Sequence, residues 1–281
     1  MKVKFTKMHG IGNDYIYLNC LNGEPSDPSA LAVKLSPRHF SVGADGVVLI
    51  CSSERADAKM RMFNADGSEG KMCGNAIRCV GKYLYDNRIV SSRRISIETL
   101  SGIKTLELTV ENGKVSSVTV DMGNASVQPN DIPVLADRPL VGGEIEVEGE
   151  KYRVTALSMG NPHAVLFLSE IDNLNLEQIG PRFERHFLFP ERVNTEFVKV
   201  LDDRTLSMRV WERGSGETYA CGTGACATVV AAILNGYARF GEWITVKLIG
   251  GELRICVTDD LRVLMSGTAT KVYDGEWDDE D

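Results

Sequence analysis

No apolar run in this 281-residue chain approaches the roughly 18 residues that a membrane-spanning helix needs, and the opening MKVKFTKMHG lacks the apolar stretch of a secretory leader. Membrane and secretory readings are therefore not expected. Histidine is scarce, with four residues, and no CxxC, HExxH or clustered Cys/His spacing occurs, so no metal site is expected. Seven cysteines are an odd number and too few for a disulfide scaffold, which fits a reducing cytoplasm. There is no Lys/Arg-rich run. With 31 Lys plus Arg against 39 Asp plus Glu, the net charge of −8 argues against nucleic acid as a partner. One biased segment, residues 274–281 (DGEWDDED), reads as a solvated acidic tail.

What is present is an internal repeat. With the chain laid on itself at an offset of 148 residues, Cys73-Gly74 falls on Cys221-Gly222, Glu69 on Glu217, Phe63 on Trp211 and Gly12-Asn13 on Gly160-Asn161. With a one-residue gap, Arg38-His39-Phe40 matches Arg185-His186-Phe187. The coincidences fall on Gly, Asn and Cys, which interchange poorly, so duplication is the economical explanation. At 281 residues with 43% hydrophobic composition, two ordinary domains can each build a core. The expected division is an N-terminal half over residues 1–122, with residues 268–281 returning to it, and a C-terminal half over residues 123–267. Residues 123–148 form the connection, and the stretch near 267–277 is expected to add an edge strand to the first half.

Each half reads as α+β. Alternating runs over residues 3–7, 95–99, 104–110, 115–121, 152–157, 207–211, 245–248 and 253–257 predict strands between Gly, Asn, Asp and Ser turns. Each half also carries one conspicuous helix. In the first, Ala76, Ile77, Val80 and Leu84 recur at helical spacing, with Arg78 and Lys82 predicting a wetter face. In the second, residues 226–234 are small or apolar on every side, which requires burial inside a curved sheet.

In both halves a cysteine stands between a Gly-rich loop and the helix. The unpaired N–H groups of a first turn carry about half a positive charge, which favours a thiolate and equally a bound carboxylate. Cys20, Cys51, Cys79, Cys226 and Cys256 lie in apolar runs and read as core thiols. Cys73 and Cys221 do not: two cysteines at matching loop-to-helix junctions of a duplicated fold are expected to face each other across a cleft. One thiolate can then take a proton from one face of a carbon while the other thiol returns one to the opposite face, which is a two-base racemase or epimerase.

The surrounding blocks, Met8-His-Gly-Ile-Gly-Asn-Asp14, Met62-Phe-Asn-Ala-Asp-Gly-Ser68, Met72-Cys-Gly-Asn-Ala-Ile-Arg-Cys79, Gly160-Asn-Pro-His163, Trp211-Glu-Arg-Gly214 and Ala220-Cys-Gly-Thr-Gly-Ala-Cys226, resemble the diaminopimelate epimerase family over nearly the whole chain. The resemblance implies two pseudo-symmetric domains, each a barrel-like mixed sheet wrapped on a central helix. It also implies interconversion of LL- and meso-diaminopimelate in lysine and cell-wall precursor synthesis, without pyridoxal phosphate or metal, by a cytoplasmic homodimer. Cys73 and Cys221 correspond to the acid/base pair, whose coupled titration belongs to the pair, and His163 and Glu212 to residues that adjust it. The N–H groups of Gly74, Asn75, Gly222 and Thr223 correspond to the cradle for the reacting α-carboxylate. Asn13, Asn64, Asn161, Asn194, Glu212 and Arg213 correspond to substrate-binding positions, with amides suited to both charges of an amino acid and Arg213 suited to a carboxylate.

Two departures stand out. Gly46 occupies the counterpart of Asn194, where some members place a substrate-contacting glutamine, and Thr268 stands where proline is frequent, with no functional effect expected. Alternatives are a proline racemase or hydroxyproline epimerase, a cysteine hydrolase or thiol redox protein, and a non-catalytic amino-acid-binding protein. Asn75 disfavours the first, which usually has His after Cys-Gly. The lack of CxxC and the repeat disfavour the second, and exchange of the α-hydrogen separates the third.

Overall fold

The computed structural model describes residues 2–279. Two compact units are present, one made of the chain up to Val120 together with the segment from Ser266 onward, the other of Asp121–Met265.

The first unit runs β1 (Lys2–Gly10), β2 (Asn13–Cys20), α1 (Pro28–Leu35), β3 (Gly46–Cys51), β4 (Ala58–Asn64), a short β5 (Glu69–Gly70), α2 (Gly74–Asp86), β6 (Arg94–Thr99), β7 (Gly102–Glu111) and β8 (Lys114–Asn124), whose end enters the second unit. The second runs β9 (Gly143–Val147), β10 (Glu150–Ser158), β11 (Pro162–Phe167), α3 (Leu176–Glu184), β12 (Asn194–Asp202), β13 (Thr205–Glu212), β14 (Gly216–Glu217), α4 (Gly222–Leu234), β15 (Trp243–Leu248), β16 (Gly251–Val257) and β17 (Arg262–Gly267). The final strand, β18 (Thr270–Asp278), belongs to the first unit.

The two units repeat one topology. In the first, β1 and β2 are antiparallel, α1 carries the chain to a parallel β3, β3 and β4 are antiparallel, and α2 carries it to a parallel β6. In the second, β10 to β15 repeat those pairings around α3 and α4. A parallel neighbour cannot be reached through a tight turn, so each parallel step needs a crossover, and here a helix supplies it. The helices α2 and α4 both start and end 148 residues apart, as do the starts of β3 and β12. The short helices α1 and α3 are additional to the expected pair. Asp27 caps the first by accepting the Ala30 N–H at 2.9 Å, with Pro28 in its first turn, and Asn175 caps the second by accepting from Gln178 at 3.3 Å.

The all-apolar α4 is buried from Gly224 to Ile233 and packs against β10 to β13, β15 and β16, the central place that its composition requires. In α2 the expectation of a wetter face fails at Arg78, which is fully buried. Space for its guanidinium exists because Gly10 has no Cβ; one there would stand 2.9 Å from Arg78 Nη2. Arg78 donates to the carbonyls of Gly74 at 3.1 Å and Thr268 at 3.2 Å and to Asn75 Oδ1 at 3.0 Å. Lys82 is half-buried, paired with Asp86 at 2.9 Å and donating to the Val115 carbonyl at 2.6 Å.

The acidic segment is exposed as expected, but its described residues form part of the edge strand expected near 267–277 rather than a free tail. Residues 274–278 belong to β18, antiparallel to β1 from Lys2↔Asp278 to His9↔Thr270. Its acids are held at the surface by Thr6 on Asp274 at 2.7 Å and Lys2 on Glu276 at 2.8 Å, while Trp277 packs on the core of Phe5, Ile16, Leu18 and Leu31. Glu280 and Asp281 lie outside the described residues. Cys20, Cys51, Cys79, Cys226 and Cys256 are all buried free thiols.

Candidate functional site

Each unit gathers its own set of polar groups at the start of its central helix. In the first, Cys73 is the N-cap of α2, in extended backbone at φ −131° and ψ 122°, and half-buried. Its sulfur donates to Asn13 Oδ1 at 3.4 Å, and Asn75 Nδ2 donates to the same oxygen at 3.3 Å. Asn13 in turn donates to Asp45 at 2.7 Å, and Asp45 also pairs with Arg38 at 2.8 Å. Arg78 holds the other end of the Asn75 amide, which fixes its orientation. Burial, then the neighbouring Cys73, pushes the Tyr15 hydroxyl well above its ordinary range, so this phenol stays protonated. Asn64 donates to Ser68 at 2.9 Å across the β4–β5 turn, and the next residue, Ala65, donates its N–H to the Asp45 carbonyl at 3.1 Å.

In the second unit Cys221 is the N-cap of α4, at φ −116° and ψ 110°, and its sulfur accepts the Gly224 N–H at 3.3 Å. Thr223 Oγ1 lies 3.6 Å from that sulfur and accepts from Asn161 at 3.3 Å. Asn161 Oδ1 is 3.0 Å from His163 Nε2, and His163 Nδ1 is 2.7 Å from Glu196 Oε1. Glu212, at the end of β13, accepts from Thr218. Burial, followed by the charge of Glu196, pushes the Glu212 carboxyl up, with Thr218 opposing. Burial, then Glu212 and Glu196, pushes the Cys221 thiol well up. Asn194 Nδ2 donates to the Pro162 carbonyl at 3.0 Å and its Oδ1 accepts the Arg213 N–H at 2.9 Å. The exposed Arg213 guanidinium reaches the Glu191 carbonyl at 2.9 Å.

The N–H groups of Gly74, Asn75, Gly222 and Thr223 occupy the first turns of α2 and α4, positions whose amides have no acceptor within their own helix. Gly46 has a steric reason to be glycine, since a Cβ there would sit 2.1 Å from the Phe63 carbonyl oxygen.

The family model for diaminopimelate epimerase matches residues 5–128 and 155–272. A diaminopimelate epimerase of Acetivibrio thermocellus is 55% identical over 98% of this chain and 99% of its own length, and one of Methanococcus maripaludis is 52% identical over 98% and 100%. The chain belongs to the diaminopimelate epimerase family. It is thereby an epimerase, an enzyme of the isomerase class. Among solved structures, a phenazine biosynthesis protein of the PhzF family from Bacillus anthracis superposes with a TM-score of 0.74 at 17% identity, covering 99% of both chains. A hydroxyproline epimerase from Agrobacterium vitis superposes at 0.73 and 16%, covering 98% of this chain and 92% of its own. At such identities these two show the shared fold alone.

Beside the family positions stand three side chains that sequence reasoning did not single out as site residues: Glu196, Tyr15 and Arg78. Tyr15 falls at the 148-residue counterpart of His163, a signal the repeat carried. Glu196, inside the β12 run Asn194-Thr-Glu-Phe197, offered only the look of polar alternation.

Proposed function

We propose that the chain interconverts LL- and meso-diaminopimelate by a two-base reaction in which Cys73 and Cys221 act on opposite faces of one α-carbon. The thiolate takes the α-proton and becomes a thiol, and the C–H electron pair spreads into the α-carboxylate. The other thiol then gives its proton to the opposite face and becomes the thiolate. First-turn N–H groups of Gly74, Asn75, Gly222 and Thr223 stabilise the carboxylate as its charge grows. Burial, with Glu212 and Glu196, pushes the Cys221 thiol up and so favours its protonated form. His163 and Glu212 adjust that balance. Asn13, Asn64, Asn161, Asn194 and Arg213 serve the second amino-acid end of the substrate.

The observation that carries this reading is the recurrence of a cysteine N-cap at the same place in both copies of the fold, in a chain of this family. Family resemblance likewise supports a cytoplasmic homodimer serving lysine and cell-wall precursor synthesis. The test is incubation with either stereoisomer in D2O. Deuterium enters the α-position with the wild type, and epimerisation is lost with Cys73→Ala or Cys221→Ala, both folded by circular dichroism. An α-carbon that stays unlabelled with the wild type sinks the reading, and full epimerisation by either variant sinks the two-base assignment.

A further inference from the structure

Glu196 is a fully buried carboxylate in β12, and its 148-residue counterpart in β3 is Val48, also fully buried. The strand therefore accepts an aliphatic side chain at this position in one copy of the fold and carries an acid in the other. Burying a carboxylate is unfavourable unless its oxygens are hydrogen-bonded, yet Glu196 Oε2 has no hydrogen-bond partner among the described residues. Packing alone gives no reason for it.

The other oxygen supplies one. Oε1 stands 2.7 Å from His163 Nδ1 and begins a chain of contacts: His163 Nε2 to Asn161 Oδ1 at 3.0 Å, Asn161 Nδ2 to Thr223 Oγ1 at 3.3 Å, and Thr223 Oγ1 to Cys221 Sγ at 3.6 Å. An amide oxygen only accepts, so Nε2 carries the proton that faces Asn161, and the amide NH2 is thereby turned to Thr223. One proton lies in the contact between Nδ1 and Oε1. Oε1 also lies where a Cβ on Gly224 would be only 2.7 Å from it and 3.1 Å from Cys221 Sγ, so carboxylate and sulfur crowd the same small volume.

We propose that Glu196 is a positioning residue for the Cys221 half-site: it fixes the tautomer and orientation of His163, and through His163 the amide of Asn161 and the hydroxyl of Thr223 beside the sulfur. This rests on the reading of Cys221 as an acid/base group. Glu196 touches no reacting atom. Its work is to hold the ring that is linked to Cys221 through Asn161 and Thr223.

The test substitutes Glu196→Val, the residue that the matched strand already holds, and Glu196→Gln, which keeps the shape and one hydrogen bond to Nδ1. Removing one partner of a buried pair is destabilising, so turnover is measured at a temperature where every variant is folded. In the full-length protein, kcat/KM for α-deuterium exchange is expected to fall about 100-fold in Glu196→Val, the lower end of what a positioned acid or base contributes, with Glu196→Gln between it and the wild type. The 15N shifts of the His163 ring are expected to report a hydrogen-bonded Nδ1 in the wild type and the loss of that bond in Glu196→Val. A folded Glu196→Val variant with wild-type turnover overturns the proposal, as does a loss of turnover matched by an equal loss of stability in both variants. Should Glu196→Val not fold, wild-type turnover in Glu196→Gln overturns it. If the wild type itself exchanges no α-hydrogen, the mechanistic reading fails separately, and the His163 spectrum alone then decides whether Glu196 sets the ring.

Discussion

The Cys221 sulfur accepts the Gly224 N–H at 3.3 Å, and a Cβ on Gly224 would press on that same sulfur at 3.1 Å. Glycine at the third position of α4 thus leaves the thiol room beside the backbone N–H that it accepts. Gly224→Ala gains about 1 kcal/mol of helix propensity against an overpacking cost of about 1–3 kcal/mol, a net loss of at most about 2 kcal/mol. Urea unfolding is expected to show this modest change while deuterium exchange into substrate collapses. Unimpaired exchange would mean that the crowding has no bearing on the thiol.

Glu212 is the first of the charged groups that hold the Cys221 thiol up, after burial itself. A carboxylate nearby penalises the thiolate, so removing it lets the thiol ionise at lower pH. In Glu212→Gln the onset of Cys221 alkylation by iodoacetamide, followed by peptide mass spectrometry, is expected at lower pH than in the wild type. An onset that stays put or rises contradicts this sign.

Arg78 donates to three acceptors around the start of α2: the Gly74 and Thr268 carbonyls and the Asn75 amide oxygen. Arg78→Met leaves these acceptors short of a donor in a fully buried setting, each at a cost of about 1–3 kcal/mol. A destabilisation of about 3 kcal/mol or more is expected by denaturant unfolding, with Arg78→Lys falling between. A neutral Arg78→Met would show that the guanidinium is dispensable to the helix start.

These residues also mark where sequence reasoning reached and where it stopped. Both helix starts, their cysteines and the eight strands that alternation pointed to were legible, because Gly, Asn and Cys anchor the repeat and apolar periodicity marks the rest. Arg78 was read as solvated because charge alone is a surface signal. What reverses it is a missing Cβ 68 residues away at Gly10, which no local pattern reveals. Glu196 is hidden in the same manner, since alternation within β12 says nothing of the imidazole that β11 brings alongside it. The helices α1 and α3 are too short for periodicity to stand out, although Asp27-Pro28 and Asn175 announce their starts.

The last strand gives the first unit an unusual history on the ribosome. The outer edge of β1 pairs with β18, which is synthesised after the entire second unit. Asp121–Met265 is one uninterrupted stretch and can close its own core as it emerges, whereas the half translated first waits with an open edge, the kind of surface that invites pairing with other chains. The part of the protein made earliest is therefore completed last.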